Sequence, residues 1–133
     1  MKTLHRDTAA QRDELSGQVI ASAIEVHRHL GPGLLETVYE SALSHELKLR
    51  DILFKRQVSI PAIYKGVLLE QAAYRLDMLV EDQLIVEVKA VEELSKTHSA
   101  RLLTYLRLTG YTKGLLLNFN CAVLKDGIKR LSL

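Results

Sequence analysis

Residues 75–90 read RLDMLVEDQLIVEVKA, and the placing of charges among the aliphatic side chains in this stretch decides the fold. Leu84, Ile85, Val86 and Val88 put aliphatic groups on both faces of one extended segment, the pattern of a strand in the middle of a sheet. Glu87 and Lys89 are set into that strand two positions apart, so their side chains share a face. Asp77 stands ten positions before Glu87, in a segment from Val67 to Val80 that also reads as a strand. Glu81 and Asp82 supply the reversal between the two, so adjacent strands can bring Asp77 beside Glu87. Asp, Glu and Lys are rare in a protein interior unless they are paired, bind a metal or do chemistry.

Working back along the chain, Phe54, Val58, Ile60, Ile63 and Tyr64 indicate extended structure, with Pro61 tolerable at an edge or a bulge and Lys65-Gly66 as the turn. Leu15, Val19, Ile20, Ala23, Ile24 and Leu30 recur at helical spacing until Gly31 and Pro32 stop them. Val38, Tyr39, Ala42, Leu43 and Leu47 form the buried stripe of a second helix, from near Leu35 to about Arg50. After the central strand, Leu102, Leu103, Tyr105 and Leu106 mark a third helix over about 95–109, closed by Gly110. Leu115, Leu116 and Leu117 form a buried strand, and Val123 to Leu131 supplies one more, with Asp126-Gly127 as a tight turn able to divide it. A strand meander followed by a crossover helix and a further strand implies an α/β fold: a mixed sheet flanked by helices, with a right-handed last crossover. Residues 1–14 read as a flexible lead-in and 15–133 as one domain.

Composition narrows the function classes. At 133 residues, 47% hydrophobic and 26% charged, the chain has the balance of an ordinary globular protein. No apolar run approaches the roughly 18 residues of a membrane span, and the polar start lacks a secretory signal, so neither a membrane role nor export is expected. The lone Cys121 cannot form an internal disulfide, which suits a packing role in a reducing, cytoplasmic setting. A net charge of +2 is too small to mark nucleic-acid binding by itself, although Lys55-Arg56 and Lys129-Arg130 form local basic pairs.

Two carboxylates in one place repel unless a cation neutralises them, and hard oxygen ligands favour Mg²⁺ or Mn²⁺. Asp77 and Glu87 would be such ligands, with the Val88 carbonyl as a further oxygen donor and Lys89 to orient or deprotonate water and stabilise charge on a phosphate. The competing reading is a structural ion pair between Lys89 and one of the acids. Gly33, Glu36 and Tyr39 stand at the spacing GxxExxY inside GPGLLETVYE, residues 31–40. Glu36, in the first turn of its helix, is either a charge favoured by the helix dipole or a third acidic group. His27 and His29 cannot share a helix face, which argues for packing or capping over zinc, and Tyr39 reads as a core anchor with a bonded hydroxyl.

With these residues in place, GPGLLETVYE at 31–40, YKG at 64–66, YRLDMLVED at 74–82, IVEVKAVE at 85–92, LLTYLRLTG at 102–110 and GLLLNF at 114–119 together resemble the GxxExxY proteins. That is a small-domain family of the PD-(D/E)XK nuclease superfamily, and the likeness runs from about Ile20 to Arg130. The resemblance implies a restriction-endonuclease-like core. It implies Asp77 as the metal-binding aspartate, Glu87 as the second acidic ligand, Lys89 as the catalytic lysine, and Glu36 as the helix acid, binding metal directly, through water or at a second position. His98 and Tyr105 lie on the helix after the motif strand, in THSARLLTYL, where Arg101 occupies a place at which the family often carries glutamine. Arginine cannot accept a hydrogen bond and brings a permanent charge, which can hold a phosphate or weaken metal binding. Arg101, His98 and Tyr105 are the substrate-binding candidates, with a surface or satisfied histidine as the alternative for His98 and packing as the simpler role for Tyr105.

The function so implied is a phosphodiester hydrolase dependent on Mg²⁺ or Mn²⁺ and acting on DNA or RNA. The alternative is a non-catalytic module that keeps the nuclease fold and binds nucleic acid or protein, an option raised by the small size and by Arg101. A 15.0 kDa domain has limited surface with which to grip a duplex, so a homodimer is expected.

Overall fold

The structure, a computed structural model, describes residues 9–133, with side chains from Glu14 onward. Helix α1 spans Ala9–Leu30 and α2 spans Glu36–Leu49. The first eight positions of the expected lead-in lie outside the described residues. From Ala9 the chain is already helical, ahead of the apolar stripe that starts at Leu15. Ala9, Ala10, Gln11, Arg12 and Glu14 are strong helix formers, so propensity carries the helix forward without an apolar period to announce it. Gly31 and Gly33, at φ 69° and 97°, turn the chain between the helices in conformations that other residues adopt with strain.

Five strands follow: β1 Phe54–Tyr64, β2 Val67–Val80, β3 Leu84–Lys89, β4 Lys113–Asn118 and β5 Ile128–Ser132, with α3 Lys96–Thr109 between β3 and β4. They form one sheet in the order β1-β2-β3-β4-β5. The β3–β4 pair is parallel and the others antiparallel, which makes the sheet mixed and puts β3 in its centre. Pro61 falls on the edge strand, where the β1–β2 register shifts between Ile60 and Ala62. The segment expected as one strand over Val123–Leu131 divides, with a short 3-10 helix at Leu124–Gly127 before β5. Gly127 lies so close to the Asn118 carbonyl that a Cβ would collide with it.

Helices cover both faces. Val19, Tyr39, Leu43 and Leu47 of α1 and α2 pack on Met78, Val80, Val86, Val88 and Leu117. Leu102, Tyr105 and Leu106 of α3 pack on Leu76, Leu79, Ile85 and Leu116 from the other side. Each such fully buried aliphatic side chain contributes about 1.5–3 kcal/mol through removal from water. Gly114 admits α3 to close range, since a Cβ there would stand 2.9 Å from the Leu102 side chain.

The β1–β2 hairpin outruns the rest of the sheet. Strand β2 pairs with β3 only over Met78–Val80 but with β1 back to Val67. Its far end leaves Ile63, Tyr64, Val67, Leu68 and Leu69 between 56% and 62% exposed. Among the described residues, no helix is long and apolar enough to cross a membrane.

Candidate nuclease site

The β2–β3 ladder stops at Met78 opposite Val86. Continuing that register would oppose Asp77 to Glu87. Instead the backbones fork, and each carboxylate takes an N–H from the other strand. The Asp77 N–H donates to Glu87 Oε2 at 2.8 Å, and the Val88 N–H donates to Asp77 Oδ2 at 2.8 Å. Backbone donors that the ladder no longer pairs are thereby satisfied by charge-assisted bonds. The two acids therefore meet at the fork; Val88, expected there through its carbonyl, takes part through its N–H.

The surroundings favour a cation. Glu87 is only 4% exposed, and its carboxyl is pushed up to about 8, first by burial and next by the charge of Asp77, against the Asp77 N–H and Lys89. The Asp77 carboxyl is raised as well. Burial is the main cause, and Glu40 and Glu36 add to it while the Val88 N–H and Lys89 oppose it. Lys89, half-buried at the end of β3, thus acts on both acids, while its carbonyl accepts the Phe119 N–H at 2.9 Å.

Helix α2 contributes two acids. Glu36 opens the helix, and its Oε2 accepts the Ala90 N–H at 3.3 Å, just beyond Lys89. One turn later comes Glu40, which the sequence reading passed over. It is 7% exposed, accepts from Arg56 Nε at 3.0 Å, and takes Gln57 Nε2 at 3.1 Å on both oxygens. Its signal lay in the sequence: an acid four positions after Glu36, flanked by the buried-stripe residues Tyr39 and Leu43.

Tyr105 faces the acids from α3. It is buried, and its phenol is raised by burial and then by Glu87, with Arg101 pulling the other way. The Tyr74 ring lies tilted against it at 6.0 Å. Arg101 is exposed one turn before Tyr105. His98 is otherwise engaged: its Nδ1 accepts the Ser95 N–H at 2.9 Å and Ser95 Oγ accepts the His98 N–H at 3.3 Å, a reciprocal cap on α3. The structure thus brings Tyr105 to the acids, leaves Arg101 exposed beside Tyr105, and ties His98 into the helix start.

Other singled-out residues are structural. Tyr39 is fully buried, donates to the Gly31 carbonyl, accepts the Leu34 N–H at 3.1 Å and stacks on Phe119 at 4.6 Å. His27 is buried against the Cys121 carbonyl at 2.7 Å, and His29 pairs with Glu25 on the surface. The Cys121 side chain packs close to Gly127.

Among the described residues, no three His, Cys, Asp or Glu side chains converge closely enough to hold a metal ion. Asp77, Glu87 and Glu36 are thus not gathered as three direct ligands. The arrangement still fits Mg²⁺ or Mn²⁺, because Mg²⁺ keeps several waters and takes one or two carboxylates. Asp77 and Glu87 are such a pair, desolvated and repelling.

A mixed sheet with helices on both faces and an acidic fork beside a lysine at its central strand defines a restriction-endonuclease-like α/β domain. A sequence model of the PD-(D/E)XK nuclease superfamily matches residues 13–131, and the chain belongs to that superfamily. Neither a curated protein nor a solved structure matches it.

Proposed function

We propose that this protein, as a GxxExxY-type member of its superfamily, is a phosphodiester hydrolase that cuts DNA or RNA with Mg²⁺ or Mn²⁺. The observation that carries the reading is the Asp77–Glu87 fork, two carboxyls each bonded to the other strand's backbone and both raised by burial, beside Lys89. Asp77 and Glu87 would hold the ion, and it would supply Lewis-acid activation of a phosphoryl oxygen and of water. The chain's own groups do the rest. Their backbone bonds fix the two carboxylates before substrate arrives, which removes reorganisation from the reaction. The Lys89 ammonium offsets charge developing on the phosphate, and the exposed Arg101 contacts a neighbouring phosphate. Tyr105 walls the site on the α3 side and limits water there.

The test is cleavage of mixed DNA and RNA with Mg²⁺ or Mn²⁺, comparing the native chain with Lys89→Ala. The expected result is metal-dependent cleavage that falls by about 10²-fold or more in the variant. Cleavage that ignores the metal and Lys89 alike, or none at all, overturns the reading. Arg101 favours a second reading, a module that binds nucleic acid or protein through this face without turnover. Calorimetry separates the two. Nucleic-acid or protein binding with no Mg²⁺ or Mn²⁺ uptake supports the module.

A further inference from the structure

Strand β1 contains one residue whose backbone does not belong in a strand. Gln57 has φ 54°, in the left-handed region that a non-glycine residue adopts at a cost. Its neighbours are regular: Arg56 pairs with Met78 and Val58 with Leu76, so the distortion sits at the level of Asp77. There the amide leaves the strand and reaches across to α2. Its Nε2 donates to both Glu40 oxygens at equal distance, 3.1 Å, which fixes the plane of that carboxylate. Arg56 clamps the same group through Nε at 3.0 Å and anchors on Ser41 Oγ through Nη2 at 3.2 Å. Two consecutive residues of the edge strand therefore orient one buried acid. Glu40 is thereby held by the residue that stands level with Asp77 across the β1–β2 ladder, and its charge raises both carboxyls of the fork.

A strained conformation persists when its surroundings over-determine it, and such positions gather at functional sites. The Arg56–Glu40 ion pair alone would neutralise the acid without any strain in the strand. The bend at Gln57 adds orientation.

We propose that Gln57 is a positioning residue that, with Arg56, fixes Glu40 as the outer acidic group of the divalent-cation site at Asp77 and Glu87. The inference rests on the reading of that fork as a cation site. Glu40 has no direct place in a two-carboxylate ligand set, so its effect runs through the waters and charges around the ion, in the way that outer-shell partners tune metal affinity.

The experiment measures Mn²⁺ affinity by titration calorimetry, and melting temperature, for the native chain, Gln57→Gly, Gln57→Glu, Glu40→Gln and the Gln57→Gly/Glu40→Gln double variant. Glycine accepts the left-handed backbone while deleting the amide, so this variant keeps the fold. Glutamate keeps the size but replaces the donor with an acceptor. The expected result is a loss of Mn²⁺ affinity of about 10-fold or more in each single variant, with the Gln57→Gly melting temperature no lower than native. The double variant should be no weaker than the weaker single, because the two residues act as a unit. Native-like affinity in Gln57→Gly overturns the proposal, as does additivity in the double variant. A fall in melting temperature that tracks the affinity loss across the variants would make the role structural and also overturn it. If the native chain takes up no Mn²⁺, the cation site itself is refuted and the positioning role falls with it, a result distinct from those above.

Discussion

Strand β2 is one strand in two environments. From Met78 to Val80 it is bonded on both sides, to β1 and β3, and its side chains are sealed in the two cores. From Val67 to Tyr74 it has β1 alone, and most of its side chains stand in solvent. Asp77 lies at the boundary. A carboxylate inside the doubly bonded half would be buried away from water without spare donors, and one on the arm would be fully solvated and electrostatically weak. At the fork the departing strand frees two N–H groups for Asp77 and Glu87 while the sheet still excludes water. The contrast explains why chemistry can concentrate at the point where pairing ends.

The comparison breaks if the halves respond alike to substitution. Met78→Ala, in the sealed half, should cost about 2–5 kcal/mol in urea unfolding, since the cavity cannot fill from solvent. At the fork, Glu87→Gln should do the opposite. With a folded carboxyl near 8 against 4.5 for the free group, the stability Glu87 contributes is complete below about pH 4.5, declines as pH rises, and is gone above about 8. The glutamine variant should therefore be more stable than the native chain at pH 9, by roughly 2–4 kcal/mol without added metal, and the gap should close toward pH 4. Melting curves across pH check this, and added Mn²⁺ should narrow the alkaline gap by stabilising the native carboxylates. On the arm, Ile63→Ser should change stability by only about 0.5 kcal/mol or less, because that side chain is already in water.

Much of this was readable in the residues, for identifiable reasons. The stretch 84–89 is aliphatic on both faces, which only a central strand requires, and Pro61 marked an edge because a ladder cannot use it. Asp77, Glu87 and Lys89 were found because strand alternation and a short reversal constrain them locally. Glu40 was missed because its significance depends on Arg56 and Gln57, partners from another element, and on a left-handed backbone at Gln57 that glutamine does not advertise. His98 stands in the sequence between substrate contact and a satisfied histidine, and Ser95 three residues earlier decides for the second by signalling a capping box, with histidine in the place usually held by Glu or Gln. The start of α1 was hidden because helix propensity without amphipathic spacing leaves no periodic trace.

The most direct measurement is anomalous diffraction from crystals soaked in Mn²⁺. The account predicts a single strong peak between the Asp77 and Glu87 carboxylates, within coordination distance of both and lost in Glu87→Gln. Well-diffracting soaked crystals with no peak at that fork, or with Lys89 bonded directly across the two acids in its place, would contradict it.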